Sequence, residues 1–546
     1  MKGRQRSERS ALMLLIGAIC AAALSGCGGG SSAQPTTTPT SNNPPTVTLQ
    51  SLEPASAMEG GAPFTLIVNG VNFISSSTVL FGGTAVQTTY VSSQELKAVI
   101  TTADLAPAGG VSVSVKTPSQ SADSNSLIFA LTAPPNPVMQ SLNPTTIQDG
   151  AGAFTLKVLG IGFIPASYIE WNATQLPTTY VSASELDAQI PATDVVSVGS
   201  ATVSVKDAID GYYLPNSLTF MIGYTVTEID RPANDLVWDP SDNLIYLSLR
   251  ADSTEGSQIA TLDPATDKVT SLVSTLADSD RLAISDDSSY LYAGIDYLNE
   301  VVRYALPSGV SDETINLPPT TVGSAYALDM AVAPGLPHTF AVTIGAQGIM
   351  PVADGGIVIY DDASARPGAA PAYWNGKAYF FDSIQWGSDT SHLYAADSED
   401  TSNSFYILNV DATGITSATI YPGVFYTFGT TIHYDAGTGY LYSNDGLIID
   451  PTIPDYAGQF NCDGYLMVPD STTGRAYFLG QTQDQLVHGG YTVWSCDMTT
   501  HNLISSVVIP NVQDFPRHFI RFGTNGLAFQ TDPGQIFLIQ GDFVAP

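Results

Sequence analysis

The chain is poor in positive charge. Eighteen Lys and Arg stand against 51 Asp and Glu across 546 residues, for a net charge of -33. Association with nucleic acid or anionic lipid is chiefly phosphate neutralisation by Lys and Arg, so no nucleic-acid partner is expected. Cysteine is scarce, with four in all, and the six His are scattered with no close pair for zinc. There is no Gly-x-Ser-x-Gly, no His-Glu-x-x-His, no Walker-type phosphate loop and no Gly-x-Gly-x-x-Gly opening a helix. The apolar stretch from Ala11 to Ala23 is too short for a stable membrane span. These gaps remove the common single-motif enzymes. They do not exclude an active site assembled from several distant strands.

The apolar stretch reads instead as the core of an export signal, preceded by the basic residues Lys2, Arg4, Arg6 and Arg9. It ends in Leu24-Ser25-Gly26-Cys27, which resembles a bacterial lipobox. That resemblance implies removal of residues 1–26 and lipidation of Cys27. More than one acyl chain, at roughly 0.8 kcal/mol per buried methylene, makes a durable anchor to the membrane. Gly28 occupies the place of an Asp-type inner-membrane retention signal, so the outer membrane is favoured in a cell that has one. Residues 27–45 form the lipidated Cys and a Gly/Ser/Thr/Pro tether without apolar periodicity, with an r.m.s. reach of about 23 Å. Cys20 leaves with the signal. Cys462 and Cys496 remain, an even pair in an oxidising compartment, and a disulfide between them is expected.

One module is then written twice. Leu52, Pro54, Phe64, Gly70, Phe73, Tyr90, Glu95 and Leu96 recur ninety residues on as Leu142, Pro144, Phe154, Gly160, Phe163, Tyr180, Glu185 and Leu186. Alternating stretches such as Phe64-Thr65-Leu66-Ile67-Val68, with Gly and Pro between them, read as short strands of a two-sheet sandwich. Leu-x-Pro, Phe-Thr-Leu, Val-Asn-Gly-Val-Asn-Phe and Val79-Leu80-Phe81-Gly82-Gly83 resemble the IPT/TIG family of immunoglobulin-like domains. The resemblance implies two such domains, over 46–133 and 134–222, acting as a stalk without catalytic residues. The second copy departs at Glu170-Trp171-Asn172, where a changed turn is expected. Pro134-Pro135-Asn136-Pro137 is a short stiff linker.

From 223 to 546 a hairpin is written seven times, each with an aromatic in its second strand: Tyr246, Tyr292, Phe340, Tyr394, Tyr442, Tyr477 and Phe529. Each aromatic lies eight or nine residues after a residue of the preceding strand. All-strand repetition at about 47 residues is the mark of a β-propeller. The hairpin from Ala283 to Tyr292, with its Asp-x-x-Thr turns, resembles the YVTN-type seven-bladed bacterial propellers. The last repeat stops after its third strand, while Tyr224–Ile229 stands ahead of the first inner strand with no blade of its own. This segment is expected to supply the missing outer strand, and residues from Val544 onward are expected to be dispensable. The fold class is thus all-β: two tandem immunoglobulin-like sandwiches followed by a seven-bladed propeller.

Candidate ligand-binding residues lie where loops enter the inner strands: Asp235, Arg281, Asp329, Asp382, Arg517 and His518. Arg there can meet an anionic or polyhydroxyl ligand through paired hydrogen bonds, with Asp taking hydroxyls or a cation. The alternative is that these charges pair with one another and stiffen the rim. Asp397-Ser398-Glu399-Asp400 offers the hard oxygens of Asp397, Glu399 and Asp400 to Ca²⁺, without the Gly and spacing of an EF-hand, or forms a solvated acidic turn. No other cofactor is expected. Trp238, Trp386 and Trp494 are read as packing between blades, with sugar platforms as the alternative. The function that follows is an exported, lipid-anchored binding, adhesion or scaffold protein whose partner is a glycan or an envelope protein. The propeller resemblance implies an alternative, a lactonase- or lyase-like enzyme acting on a sugar-derived or polysaccharide substrate, with Asp, His and Arg at the channel mouth as acid/base groups.

Overall fold

The structure is a computed structural model that describes residues 45–544, apart from 106–108, 119, 208–215, 252–254, 321–322, 347–352, 372, 375–376, 379–380, 398–402, 428, 454, 463, 482–489 and 533. The expected signal, Cys27 and tether lie outside the described residues. Within them, regular structure is strand, with two 3₁₀ turns at Thr102–Leu105 and Ala192–Val195. No helix among the described residues is long and apolar enough to cross a membrane.

The two N-terminal modules share one strand plan. In the first, Thr48–Glu53, Phe64–Val71, Glu95–Ile100 and Thr88–Ser92 form one sheet. Ser56–Met58, Leu127–Thr132, Gly109–Lys116, Thr78–Phe81 and Thr84–Ala85 form the other. The second module repeats that order from Val138–Asn143 to Ser217–Ile222. Each pair of sheets closes over its own core, around Leu66, Val68, Leu96 and Phe129 in the first and Leu156, Val158, Leu186 and Phe220 in the second. The repeated glycines have a steric cause. A Cβ on Gly70 would lie 2.4 Å from the Thr48 carbonyl oxygen and 2.5 Å from the Phe73 ring; one on Gly160 would lie 2.2 Å from the Val138 oxygen. The packing of Phe73 and Phe163 therefore demands a residue without a side chain.

The departure at Glu170-Trp171-Asn172 leaves the turn unchanged, contrary to expectation. Gly82 and Gly83 have φ of 58° and 82°, and Asn172 and Ala173 adopt 49° and 61°. Both turns join directly paired strands through two left-handed residues, the geometry that suits the twist of a hairpin. Asn172 tolerates it because its side-chain oxygen accepts the Thr202 N–H at 2.8 Å. Trp171 fills the core against Phe220 at 5.2 Å, as Phe81 does against Phe129 at 5.5 Å.

Seven four-stranded antiparallel sheets follow. Their inner strands are Ala233–Asp239, Ser279–Ile284, Ala325–Ala333, Ser383–Trp386, Ile432–Asp435, Leu466–Asp470 and Pro516–Phe522, numbered here as blades 1 to 7. Each inner strand contacts the next, and that of blade 7 contacts that of blade 1, so the array is a closed ring. The aromatics of the second strands are all buried. Tyr246, Tyr292, Tyr394, Tyr442 and Tyr477 each share a core cluster with the following blade. Trp238 packs on Phe522 across blades 1 and 7, and Trp386 donates its indole N–H to the Ala331 carbonyl of blade 3.

The seventh sheet is completed by Tyr224–Asp230, which pairs antiparallel with Gln535–Gly541 over its whole length. The residues just after this pairing pack into the ring, which argues against the expectation that those from Val544 onward can be removed without cost. Phe543 and Val544 are buried, and the Tyr477 hydroxyl donates to the Val544 carbonyl at 3.1 Å. The second sandwich also packs on the ring. Only Gly223 separates Ser217–Ile222 from the closing strand, Thr146 donates its hydroxyl to the Tyr224 carbonyl at 2.8 Å, and Val198 and Met221 join the core beside blade 7.

Candidate functional site at the channel mouth

A cavity of about 640 Å³ opens where the chain enters the inner strands, and all seven blades contribute to its lining. Its polar side includes Arg281, Asp382, His433, Arg517 and His518; Leu236, Leu328 and Met467 supply apolar wall. Repetition explains the convergence, because the same position in each blade points at the ring axis.

Three candidate residues from three blades form one hydrogen-bonded chain. His518 Nδ1 lies 3.0 Å from Asp235 Oδ1, and an Arg281 guanidinium nitrogen bonds His518 Nε2. Arginine can only donate, so Nε2 is the acceptor and Nδ1–H donates to Asp235. His518 is therefore a neutral imidazole. Burial, with the charges of Arg281 and Arg517, holds its pKa well below the usual value. Its backbone has φ of 42°, at a bulge between Arg517 and Phe519 that turns the ring toward blades 1 and 2. His433 is also held neutral, its pKa lowered by burial to about 4.

Asp235 and Asp329 also have a structural role. Asp235 Oδ2 accepts the Leu282 N–H of blade 2 at 2.9 Å, and Asp329 Oδ2 accepts the Ile384 N–H of blade 4 at 2.8 Å. Each carboxylate thus ties its blade to the next. Arg281 does the same with its Nε, which donates to the Leu328 carbonyl of blade 3 at 2.6 Å. Burial raises the Asp235 pKa to about 7, against the opposing pull of Arg281 and of two backbone donors. Burial likewise raises that of Asp329. Burial alone would lower the Arg281 pKa, but Asp235, Asp280 and Asp329 outweigh it and keep the guanidinium charged.

The remaining candidates separate. Asp382 lines the cavity, and Arg517 sits on its lip, exposed, in an ion pair with Asp532 at 3.0 Å. Asp397 is neither in a loop nor solvated. It ends the strand His392–Asp397, which is buried on both faces from Leu393 onward, and it accepts the Tyr406 hydroxyl at 3.1 Å. Glu399 and Asp400 lie outside the described residues. No group of three or more His, Cys, Asp and Glu placed to hold a metal occurs among the described residues. Cys462 and Cys496 are joined, with Cα atoms 6.7 Å apart, tying the entry to blade 6 to its third strand.

Tyr426, Tyr465 and Phe515 had no place in the sequence reading, yet all three are exposed on this face. They fall in the entry loops, outside the fixed aromatic positions of the repeat, and that misplacement was the available signal.

The fold and its mouth define an all-β protein, a seven-bladed β-propeller preceded by immunoglobulin-like sandwiches. Residues 47–130 match the IPT/TIG domain family. No curated protein matches the chain. Among solved structures, it is similar to the β-propeller domain of Myceliophteria thermophila Cps50 (Swd1), at 12% identity over 57% of this chain and 98% of the other, with a TM-score of 0.43. Two auxiliary nutrient binding proteins are also similar at 12% identity and a TM-score of 0.34. That of Bacteroides thetaiotaomicron covers 91% of this chain and 98% of its own; that of Bacteroides ovatus covers 75% and 98%. The fold assignment rests on the strand pairing above.

Proposed function

We propose that the chain is an exported, lipid-anchored binding protein of the cell envelope, held through Cys27 and presenting the propeller mouth on a stalk of two IPT/TIG domains. The shared strand plan of the two sandwiches supports the second domain as a member of that family. The observation that carries the binding reading is the mouth itself. The charged guanidinium of Arg281 and the neutral imidazoles of His433 and His518 meet from three blades, with Arg517 at the lip, in a cavity of about 640 Å³, a size suited to a small polar ligand. A ligand rich in hydroxyls, or carrying an anionic group, suits the guanidinium of Arg281 and the imidazole of His433, with His518 holding Arg281 in place.

The linked Arg281, His518 and Asp235 favour a second reading, an enzyme of the lactonase or lyase kind. Binding is preferred on chemical grounds. Both ring nitrogens of His518 are engaged by the protein, and a base whose pKa lies well below neutrality has little driving force to take a proton.

A thermal-shift screen of the chain from Thr46 with sugars, lactones, phosphates and Ca²⁺ tests the proposal. Stabilisation by a polyhydroxyl or anionic compound, lost in Arg281→Met, supports binding at the mouth. No shift with any compound removes it in favour of protein–protein contact, and turnover of a lactone favours the enzyme. For the anchor, Cys27→Ser should abolish labelling with palmitate and release the protein from membranes. Unchanged labelling would refute it.

A further inference from the structure

A second cavity, of about 1030 Å³, lies beside the mouth between blades 5 and 6. Gly429 and Tyr465 line both cavities, so the two are subsites of one cleft that runs from the ring axis outward. Resting on the binding reading above, we propose that this outer groove binds a neutral oligosaccharide, whose end reaches the mouth.

Three features carry the assignment. The first is the balance of aromatic and amide groups. Tyr426 is 67% exposed and Tyr465 is 48% exposed, Trp494 forms part of the lining, and Asn461, Gln459 and Gln481 add amides. Sugars present apolar C–H faces and a rim of hydroxyls, and they need ring surfaces and two-way hydrogen-bonding groups together. The second is charge. Among the described residues lining this groove, Asp445 is the one acidic side chain and none is Lys or Arg, and both Asp445 oxygens accept a hydrogen bond from the protein. They accept the Ser443 hydroxyl and, at 3.1 Å, the Tyr426 N–H. In so acidic a chain, a lining of this kind selects an uncharged ligand rather than a charged peptide.

The third feature is rigidity. A Cβ on Gly480 would stand 2.9 Å from the Trp494 ring, and one on Gly464 would stand 2.8 Å from the Leu479 carbonyl oxygen, so the two glycines let the indole and the segment leading to Tyr465 pack directly on the backbone. The Cys462–Cys496 bond fixes the segment carrying Tyr465 to the strand carrying Trp494. The aromatic surfaces are thus set before a ligand arrives, which lowers the ordering cost of binding.

The test is calorimetric titration of the soluble chain with neutral gluco-, manno- and galacto-oligosaccharides of one to six units, alongside neutral and acidic peptides. Affinity for at least one series is expected to rise with length. Tyr465→Ala and Tyr426→Ala are each expected to weaken the longer members by roughly five- to tenfold. Tyr426→Ala alters an exposed side chain, and an unchanged melting temperature certifies its fold. Arg281→Met, at the mouth, should weaken short and long members alike. Oligosaccharides that bind with unchanged affinity in both tyrosine variants but not in Arg281→Met would overturn the groove and leave the mouth standing. Binding of peptides alone would overturn the glycan assignment, and no binding of any probe would sink both readings.

Discussion

Replacing Asp235 by Asn separates the charge at the mouth from its packing. The carboxylate accepts the N–H of Leu236 at 2.7 Å, that of Leu282 at 2.9 Å, and the imidazole of His518. Asn keeps one oxygen and turns an NH₂ toward at least one of these donors, leaving a buried group unpaired at a cost of about 1–3 kcal/mol. The pH dependence gives the sharper signature. Because the folded pKa is raised to about 7 from 3.8, this group's contribution to stability is fully present below the unfolded pKa and is lost as pH rises through the folded one. At about 1.36 kcal/mol per pH unit, the wild-type chain loses about 4 kcal/mol from this source between pH 4 and pH 8. The variant does not. Urea denaturation followed by tryptophan fluorescence at several pH values should therefore show the variant clearly less stable near pH 4, with the gap closing or reversing by pH 8. Parallel profiles, within about 1 kcal/mol across that range, would refute the buried-carboxylate argument.

Further consequences are open to direct measurement. Ala173→Gly relieves a left-handed alanine at φ 61° and should stabilise the second sandwich by about 0.5–1 kcal/mol; a loss of stability would mean the turn is not strained. Ending the chain at Asp542 removes buried Phe543 and Val544 and should cost about 3–6 kcal/mol, read as a lower denaturation midpoint. A thiol count on denatured, unreduced protein from Thr46 should find none at Cys462 and Cys496, and two reactive thiols would contradict the bond.

The ring was legible because it rests on periodicity. A buried aromatic at a constant offset, such as Tyr292 or Phe340, is required by each blade–blade contact, so the packing leaves its period in the chain. The twin sandwiches were legible for a similar reason, since Gly70 and Gly160 answer the same steric demand. Individual side-chain roles were less so. Asp235 and Asp329 read as ligand groups because spacing places them at the mouth, but spacing does not say that a neighbouring blade's N–H will claim them. Val544 looked expendable because it follows the last strand, and its burial against blade 6 depends on contacts across the ring. The groove beside Trp494 was least visible. It depends on missing side chains at Gly464 and Gly480 and on aromatics from separate loops, none of which share a sequence pattern.

The position of Gly223 has a mechanical consequence. The second sandwich runs through this single residue into the strand that completes blade 7, so tension on the chain ahead of the ring is carried into the Tyr224–Asp230 and Gln535–Gly541 seam. Antiparallel partners loaded along their length share tension among all their cross-links at once instead of opening one after another. Tension directed along Tyr224–Asp230 would therefore load the ring's closure in shear.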